Sequence, residues 1–257
     1  MKTKSLFFVL NFLFAGMICY GQQTTTITMP TSARQYVESG NLLIELSRIG
    51  DDKAEEKGNL KDAIDKFTQA IKVDPTFYEA YERRGWAKYI LEDYKGSLFD
   101  YNKAIELNPN NSSIYLSRAY TKIALDDNIG GIKDCNKAIE LDSQSWEAYF
   151  LRGGSKHVLG DARGALIDYN TAIKLRPDDA RIYISRAKAK GILGDNSGAV
   201  ADLTKAIEIN PKDAASYFIR GYDKYQLGDK DGACWDWSKA GEMGYQDAYS
   251  YIQKYCK

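Results

Sequence analysis

A period of 34 residues runs through most of this 257-residue chain and constrains its fold more than any other feature. Four of the five prolines share one phase of that period: Pro75, Pro109, Pro177 and Pro211. Five further columns each repeat one residue type at the same step: Tyr81, Tyr115, Tyr149, Tyr183, Tyr217; Ala70, Ala104, Ala138, Ala172, Ala206, Ala240; Arg84, Arg118, Arg152, Arg186, Arg220; Lys88, Lys122, Lys156, Lys190, Lys224; Asp100, Asp134, Asp168, Asp202, Asp236. Such a period is typical of a chain built from stacked copies of one supersecondary unit.

Each copy of the repeat predicts two helices joined by a tight turn. In the copy after Pro75, apolar residues recur every three or four positions over 79–91 and again over 97–107, which is helical spacing. A glycine in turns such as Leu159-Gly160-Asp161 accepts the left-handed conformation that ends a helix. The proline after the second helix stops it, because proline lacks an amide donor. The unit is therefore predicted to be a helical hairpin.

The motif residues of this hairpin resemble the tetratricopeptide repeat family. They are the small pair Gly85 and Ala104, the pair Tyr94 and Tyr101, and the closing Ala-Ile-Glu-Leu-Asn-Pro of residues 104–109. The resemblance covers nearly all of the chain from Ile44 onward. It implies an all-α, right-handed α-solenoid of about six helix-turn-helix repeats, followed by a C-terminal capping helix. The Arg84 column departs from the family, which usually has leucine there, and the Lys88 column stands where tyrosine is usual.

The N-terminal sequence and the register of the repeats predict the domain boundaries. A basic end, an apolar run and small residues at a cleavage site predict a signal peptide at 1–21. The other predicted segments are a disordered linker at 22–32, an array at 33–247 (an irregular first repeat at 33–77, then 78–111, 112–145, 146–179, 180–213 and 214–247) and a capping helix at 248–257. In the first repeat, helices at 35–49 and 60–73 leave a charged insertion, 50–59, in a turn that is elsewhere tight. We expect this insertion to be a solvated extension.

The signal peptide predicts export to a periplasmic or extracellular compartment, with no membrane span left after cleavage at Gly21. Lipid attachment at Cys19 is the alternative, which the bulky Ile18 before it disfavours. Oxidising compartments preserve disulfides. Cys234 lies in an apolar column of second helices, and in the last repeat the element that follows is the capping helix with Cys256. We therefore predict a Cys234–Cys256 disulfide; the alternative is two free thiols. Cys135 shares a core column with Tyr101 and is predicted to be a buried, inert thiol.

The Arg, Lys and Asp columns predict ion pairs between helices. Arg84 and Lys88 are four residues apart on one helix face, where like charges repel. Asp100, on the second helix of the same hairpin, is the natural counter-charge, and a planar guanidinium suits a bidentate pair with a carboxylate. The alternative is a cationic stripe that binds an acidic ligand.

The family resemblance also implies that first helices line a concave groove. The candidate partner-binding residues there are Trp86, Tyr89, Leu116, Tyr120, Phe150, His157, Ile184, Lys188, Phe218, Tyr222 and Tyr225. Aromatic side chains favour binding hot spots, so the groove suits an extended or helical peptide. The alternative is that about half of these residues pack between neighbouring hairpins. The carboxylate-clamp subclass of the family is poorly matched, because Glu82 and Trp86 occupy two of the corresponding places.

Composition excludes several functional classes. The chain has 35 basic and 35 acidic residues, whereas a nucleic-acid binder carries a clustered basic excess. One histidine and four cysteines leave little material for a metal site or a histidine-dependent catalytic triad. No cofactor is expected. The sequence therefore predicts a noncatalytic, exported scaffold that binds a protein or peptide. The alternative is an architectural subunit, or a homo-oligomer, of a cell-envelope assembly.

Overall fold

The computed structural model describes residues 32–49 and 53–256. The predicted signal peptide, its lipid-attachment alternative at Cys19 and most of the predicted linker lie outside these residues. The described residues form thirteen helices: α1 (Ala33–Ile49), α2 (Lys53–Val73), α3 (Tyr78–Ile90), α4 (Tyr94–Leu107), α5 (Ser112–Ala124), α6 (Asn128–Leu141), α7 (Trp146–Val158), α8 (Ala162–Leu175), α9 (Ala180–Ile192), α10 (Asn196–Ile209), α11 (Ala214–Gln226), α12 (Lys230–Glu242) and α13 (Asp247–Tyr255).

The helices pair into hairpins that stack in chain order. Each helix packs on its neighbours in sequence, and the odd-numbered helices α1, α3, α5, α7 and α9 also contact one another in succession. The chain is thus an all-α repeat array, as predicted. We call the surface formed by the odd-numbered helices α1 to α11 the odd-helix face. The alanine column is buried. Within the hairpin of α7 and α8, the absence of a side chain at Gly153 lets the Tyr169 ring approach its backbone.

Helix ends follow the period as well. The residue before each of α4, α6, α8, α10 and α12 is an aspartate whose side chain accepts a hydrogen bond from the backbone N–H of a glycine three residues later, as Asp161 does from Gly164 at 2.8 Å. This cap satisfies a donor that the helix start leaves free. In the turn before the cap, Gly160 has a φ of 85°, and its equivalents Gly194 and Gly228 are also left-handed.

The first repeat differs from its prediction. The charged insertion at 50–59 was expected to lie in a turn, but α2 begins at Lys53 and therefore includes residues 53–59 as two additional helical turns. These residues are largely exposed, so the expected solvation is confirmed while the turn is wrong. Residues 50–52 lie outside the described residues. The reason is that helix formation is cooperative: extending an existing helix costs far less free energy than nucleating a new one.

An aromatic cluster closes the C-terminal end of the array. The helix α13 packs on α12, and the Phe218 ring of α11 lies 4.7 Å from the Tyr245 ring and 4.9 Å from the Tyr251 ring, centroid to centroid. Trp237 is fully buried beneath these rings. Cys234 and Cys256 lie at disulfide-bonding distance, with sulfur atoms 2.01 Å apart, which is the predicted pairing. The array therefore ends in a helix that is covalently attached to the last hairpin.

Candidate functional site

The predicted ion pairs form in all five regular repeats. The Arg152 guanidinium donates to both carboxylate oxygens of Asp168, at 3.0 Å from Nε and 2.6 Å from Nη2, and Lys156 Nζ lies 2.8 Å from the same carboxylate. The other repeats place their arginine, lysine and aspartate in the same way. The aspartate side chains are at most 6% exposed. These columns are therefore a structural ladder, with each cation already matched by a carboxylate.

One partner in this ladder was missed from the sequence. The remaining arginine nitrogen, Nη1, donates to a side-chain oxygen of the preceding repeat, as Arg152 does to Asn136 at 2.7 Å. The acceptors recur every 34 residues: Thr68, Asn102, Asn136, Asn170 and Thr204. The arginine also lies over the ring of the tyrosine column, 5.4 Å from the Tyr149 centroid. The recurrence of Asn or Thr every 34 residues was the signal available in the sequence. The hydrogen bonds show that each of these arginines links two repeats.

Three of the predicted groove residues form an exposed row on the odd-helix face. Tyr120 is 37% exposed, Tyr222 is 45% exposed, and Lys188 between them is also exposed. All three occupy the same repeat position, at which the intervening repeat has Gly154. We call Tyr120, Lys188 and Tyr222 the exposed row. Its two aromatic rings are not consumed by the packing of the array.

The remaining predicted groove residues are half-buried: Trp86, Tyr89, Leu116, Phe150, His157, Ile184, Phe218 and Tyr225. Phe150 packs against Tyr169, with ring centroids 6.0 Å apart. The strongest departure from a free groove is at the C-terminal end, where Phe218 stacks on Tyr245 and Tyr225 lies 4.7 Å from Tyr255. The packing alternative therefore describes these two positions better than ligand contact does, because the capping helix supplies their neighbours.

A pocket of about 210 Å³ lies at the N-terminal end of the odd-helix face, between α1 and α3. Trp86 forms one wall, and the guanidinium of Arg48 lies 5.2 Å from its ring centroid. Asn41, Glu45 and Arg83 complete the polar lining. Trp86 thus lines this pocket and is engaged by a side chain of the first repeat.

Burial tunes several titratable groups near the face. Burial raises the pKa of Glu82, which accepts a hydrogen bond from the Ser113 hydroxyl at 3.1 Å. Burial also raises the pKa of Tyr120, and the charge of Glu147 adds to that effect. Nδ1 of His157 is buried without a hydrogen-bond partner among the described residues. His157 is therefore a packed side chain at this face.

The free cysteine among the described residues is Cys135, and it is buried. Burial raises the pKa of the Cys135 thiol to about 12, so the thiol stays protonated at neutral pH. This agrees with the predicted buried, inert thiol. Among residues 32–49 and 53–256, no three His, Cys, Asp or Glu side chains group as metal ligands would. Within the same residues, no helix has the length and apolar character needed to cross a membrane.

Comparison with known proteins supports the repeat assignment. Residues 78–111 and 180–213 each match the tetratricopeptide repeat family. The crystal structure of MamA is 25% identical with a TM-score of 0.60, over 64% of this chain and 96% of that chain. A tetratricopeptide repeat protein from Parabacteroides merdae is 24% identical with a TM-score of 0.58, over 87% and 85%. YrrB, described as a TPR protein with an unusual peptide-binding site, is 16% identical with a TM-score of 0.63, over 73% and 97%. No curated protein matches the sequence.

The two matched segments have the same bounds as two of the predicted units, and the fold of the neighbouring structures is the hairpin stack described above. Proteins of this fold generally act as noncatalytic scaffolds for protein–protein interaction. The hairpin stack, its 34-residue period and the family matches together identify the chain as a tetratricopeptide repeat protein.

Proposed function

We propose that the protein is a noncatalytic scaffold that binds a segment of another protein along its odd-helix face. The exposed row carries this proposal, because Tyr120 and Tyr222 remain accessible while the other aromatic residues predicted for this face are half-buried. Tyrosine offers a large contact area at low entropic cost and is enriched at binding hot spots. The peptide-binding site of YrrB, a protein that shares the fold, supports the same mode of action.

We also propose that the protein is exported. Two features support this: the N-terminal sequence has the layout of a signal peptide, and Cys234 pairs with Cys256, a bond that persists in oxidising compartments. Intact mass of the protein recovered from an exported fraction tests it. Cleavage after Gly21 is the expected result, and a chain retained in the cytosol with its first residues intact contradicts export.

One observation favours the architectural alternative. Three large apolar side chains are exposed at one repeat position on even-numbered helices: Phe99 at 58%, Ile167 at 66% and Trp235 at 58%. They recur every second repeat, on α4, α8 and α12. Exposed apolar patches mark interaction surfaces, so this row suits a fixed contact with another subunit or a second copy. It lies on helices other than those of the exposed row.

One experiment separates the two functions. A displayed peptide library is selected on the wild-type protein. The affinities of the selected peptides are then measured for two double variants: one carries Tyr120→Ala and Tyr222→Ala, and the other carries Phe99→Ala and Trp235→Ala. Removing hot-spot tyrosines costs about 2 kcal/mol or more, roughly thirtyfold in affinity, whereas the even-helix pair serves as the matched control. The proposal is overturned if no peptide is enriched, or if only the even-helix variant loses binding. Light scattering completes the test, because an obligate oligomer that Trp235→Ala dissociates supports the architectural role.

A further inference from the structure

A buried carboxylate stands out among the groups that the ladder and the aromatic clusters leave unexplained. Asp223 of α11 is only 4% exposed, yet its side chain makes no hydrogen bond or ion pair with any of the described residues. Every aspartate of the ladder, in contrast, accepts from an arginine and a lysine. Buried carboxylates without partners are costly and therefore rare, which makes their occurrence informative.

The other repeats act as internal controls for this position. At the place of Asp223 they have small, uncharged residues: Ala87, Thr121, Ser155 and Ala189. Packing of the array therefore does not require a carboxylate there. Burial raises the pKa of Asp223 to about 6, because no neighbouring cation or donor compensates the charge. A residue that the fold does not need and that destabilises it is a candidate for function.

A second departure from the repeat lies directly beside the first. Gly191 of α9 is a glycine where the other repeats have large or β-branched residues: Tyr89, Ile123, His157 and Tyr225. A Cβ atom at Gly191 would lie 3.6 Å from Oδ1 of Asp223, so a longer side chain there would lie on the carboxylate. The only regular repeat with glycine at this position thus precedes the only one with aspartate at the buried position, so Asp223 Oδ1 is the one described atom of another helix within 4 Å of the place where a Cβ atom of residue 191 would lie.

The charges around this recess favour a cation. Gly191 and Asp223 both lie in the last turn of their helices, where backbone carbonyl groups carry partial negative charge. The lysines of those turns are already engaged, Lys190 with Asp202 and Lys224 with Asp236, each at 2.8 Å. Lys188, one turn before Gly191, is exposed and makes no ion pair among the described residues. It is the one nearby cation on α9 that could compete for the recess.

We propose that Gly191 and Asp223 form a subsite of the odd-helix face that receives a basic side chain, lysine or arginine, of the bound protein segment. Lys188 of the exposed row belongs to the same helix as Gly191, and Tyr222 belongs to the same helix as Asp223. An aromatic contact by Tyr222 and a charge-assisted hydrogen bond to Asp223 would then act on neighbouring residues of one ligand. This inference rests on the proposed function and names the chemistry that the ligand must have.

Two substitutions test the subsite without disturbing the fold. Asp223→Ala introduces the residue that the preceding repeat has at this position, where Ala189 is fully buried. Gly191→Ile introduces the residue of the second regular repeat, Ile123, and covers the carboxylate. Gly58→Ala is the matched control for the loss of a helical glycine, because a Cβ atom there meets nothing within 4 Å. Circular dichroism and melting temperature establish that each variant is folded.

The first measurement uses small probes, so it does not depend on finding the natural ligand. n-Butylammonium and n-butylguanidinium, which mimic lysine and arginine side chains, are titrated at constant ionic strength while the backbone amides of residues 191 and 223 are followed by NMR. We expect a saturable shift with one or both cations, none with the neutral 1-pentanol, and none in Asp223→Ala or Gly191→Ile. A response that is equal in Asp223→Ala overturns the proposal. Binding that appears only in Lys188→Met also overturns it, because Lys188 then fills the recess itself.

The second measurement separates this inference from the proposed function. Peptides selected from the display library should be enriched in lysine or arginine, and Asp223→Asn should weaken them roughly tenfold to a hundredfold, as expected for a lost hydrogen bond to a charged group. Peptides that bind through Tyr120 and Tyr222 but are indifferent to Asp223→Asn leave the scaffold function standing and refute the subsite. If no peptide is enriched, the scaffold function fails, and the amine titration alone decides whether the recess binds cations.

Discussion

Asp223 makes the stability of the protein depend on pH in an identifiable direction. Burial raises its pKa from 3.8 to about 6, so the folded state prefers the neutral carboxyl group. A raised folded-state pKa gives a contribution that is fully present below the unfolded pKa and is lost as pH rises through about 6. The charged form at neutral pH is therefore destabilising, and the chain keeps an acid that its fold would be more stable without.

We expect Asp223→Asn to be more stable than the wild-type protein at neutral pH, with an advantage that grows with pH. The gain over wild type should increase by about 1 kcal/mol between about pH 5 and about pH 8. Urea unfolding of both proteins at several pH values measures it, with Asp178→Asn, an exposed acid, as the control. A constant difference across this range would mean that the Asp223 carboxyl group titrates normally in the folded state.

At the scale of single residues, the period itself decided what could be predicted. The Arg, Lys and Asp columns were recognisable because one residue type fills each of them, and the distances confirm their pairing. The Asn/Thr column was not recognised, because two residue types share it and only the fold shows that an oxygen at that place meets an arginine of the next repeat. Asp223 was missed for the opposite reason, since a single departure from a column has no period.

The ion-pair ladder links the two helices of each regular hairpin. Asp168 of α8 holds both Arg152 and Lys156 of α7, and its side chain is only 1% exposed. Removing one partner of a buried pair leaves the other charges without compensation, which costs about 3 to 5 kcal/mol. The loss is the larger here because one carboxylate satisfies two cations.

We therefore expect Asp168→Ala to lower the free energy of unfolding by about 3 kcal/mol and to lower the melting temperature. Asp178→Ala is the matched control, because its carboxylate is 75% exposed and lies 3.8 Å from Arg176, and exposed pairs of this kind contribute about 1 kcal/mol or less. Thermal and urea denaturation compare the two variants. Unchanged stability in Asp168→Ala, together with weaker ligand binding, would favour the cationic-stripe interpretation over the structural ladder.

At the scale of elements, the regular hairpins were predictable and the irregular one was not. Proline and glycine mark helix ends at a fixed spacing from 78 onward, so the helices follow from the punctuation of the sequence. The segment 53–59 contains one such mark, Gly58, but it lies inside α2 and not at a helix end. Its Lys, Ala and Glu residues suit either a solvated loop or an exposed helical extension, and hydrophobic periodicity, which requires a buried face, cannot distinguish the two. The structure resolves this because α2 continues through them.

On the scale of the whole molecule, the array is a chain of nearest-neighbour contacts. Successive helices pack on one another, and the aromatic cluster under α13 gives the last hairpin the neighbour that the repeat would otherwise lack. The groove prediction treated all five regular repeats alike. It did not separate Phe218 and Tyr225, which the cap engages, from the other groove positions. Of the residues that cover them, Tyr251 continues the tyrosine column one period after Tyr217, whereas Tyr245 and Tyr255 stand where the earlier repeats have proline or serine and glycine or alanine.

The Cys234–Cys256 bond joins α12 to the residue after α13 and closes a loop over a separation of 22 residues. Chain entropy predicts that such a bond stabilises by about 3 kcal/mol. In a solenoid, stability is a sum of local terms and neighbour terms, so the loss of this bond should act mainly on the C-terminal end. The buried aromatic residues beneath the cap would then be protected by packing alone.

We expect the variant with Cys234→Ala and Cys256→Ala to exchange the amide protons of α13 and α12 faster, by a factor of about one hundred if the full stabilisation is lost locally. Helices α3 to α6 should keep wild-type exchange rates. Hydrogen exchange read by mass spectrometry measures both regions, and Cys135→Ala is the matched control because its thiol is buried and unpaired. Equal acceleration along all helices would show that the array unfolds as one unit, and the description of the cap as a local staple would then be wrong.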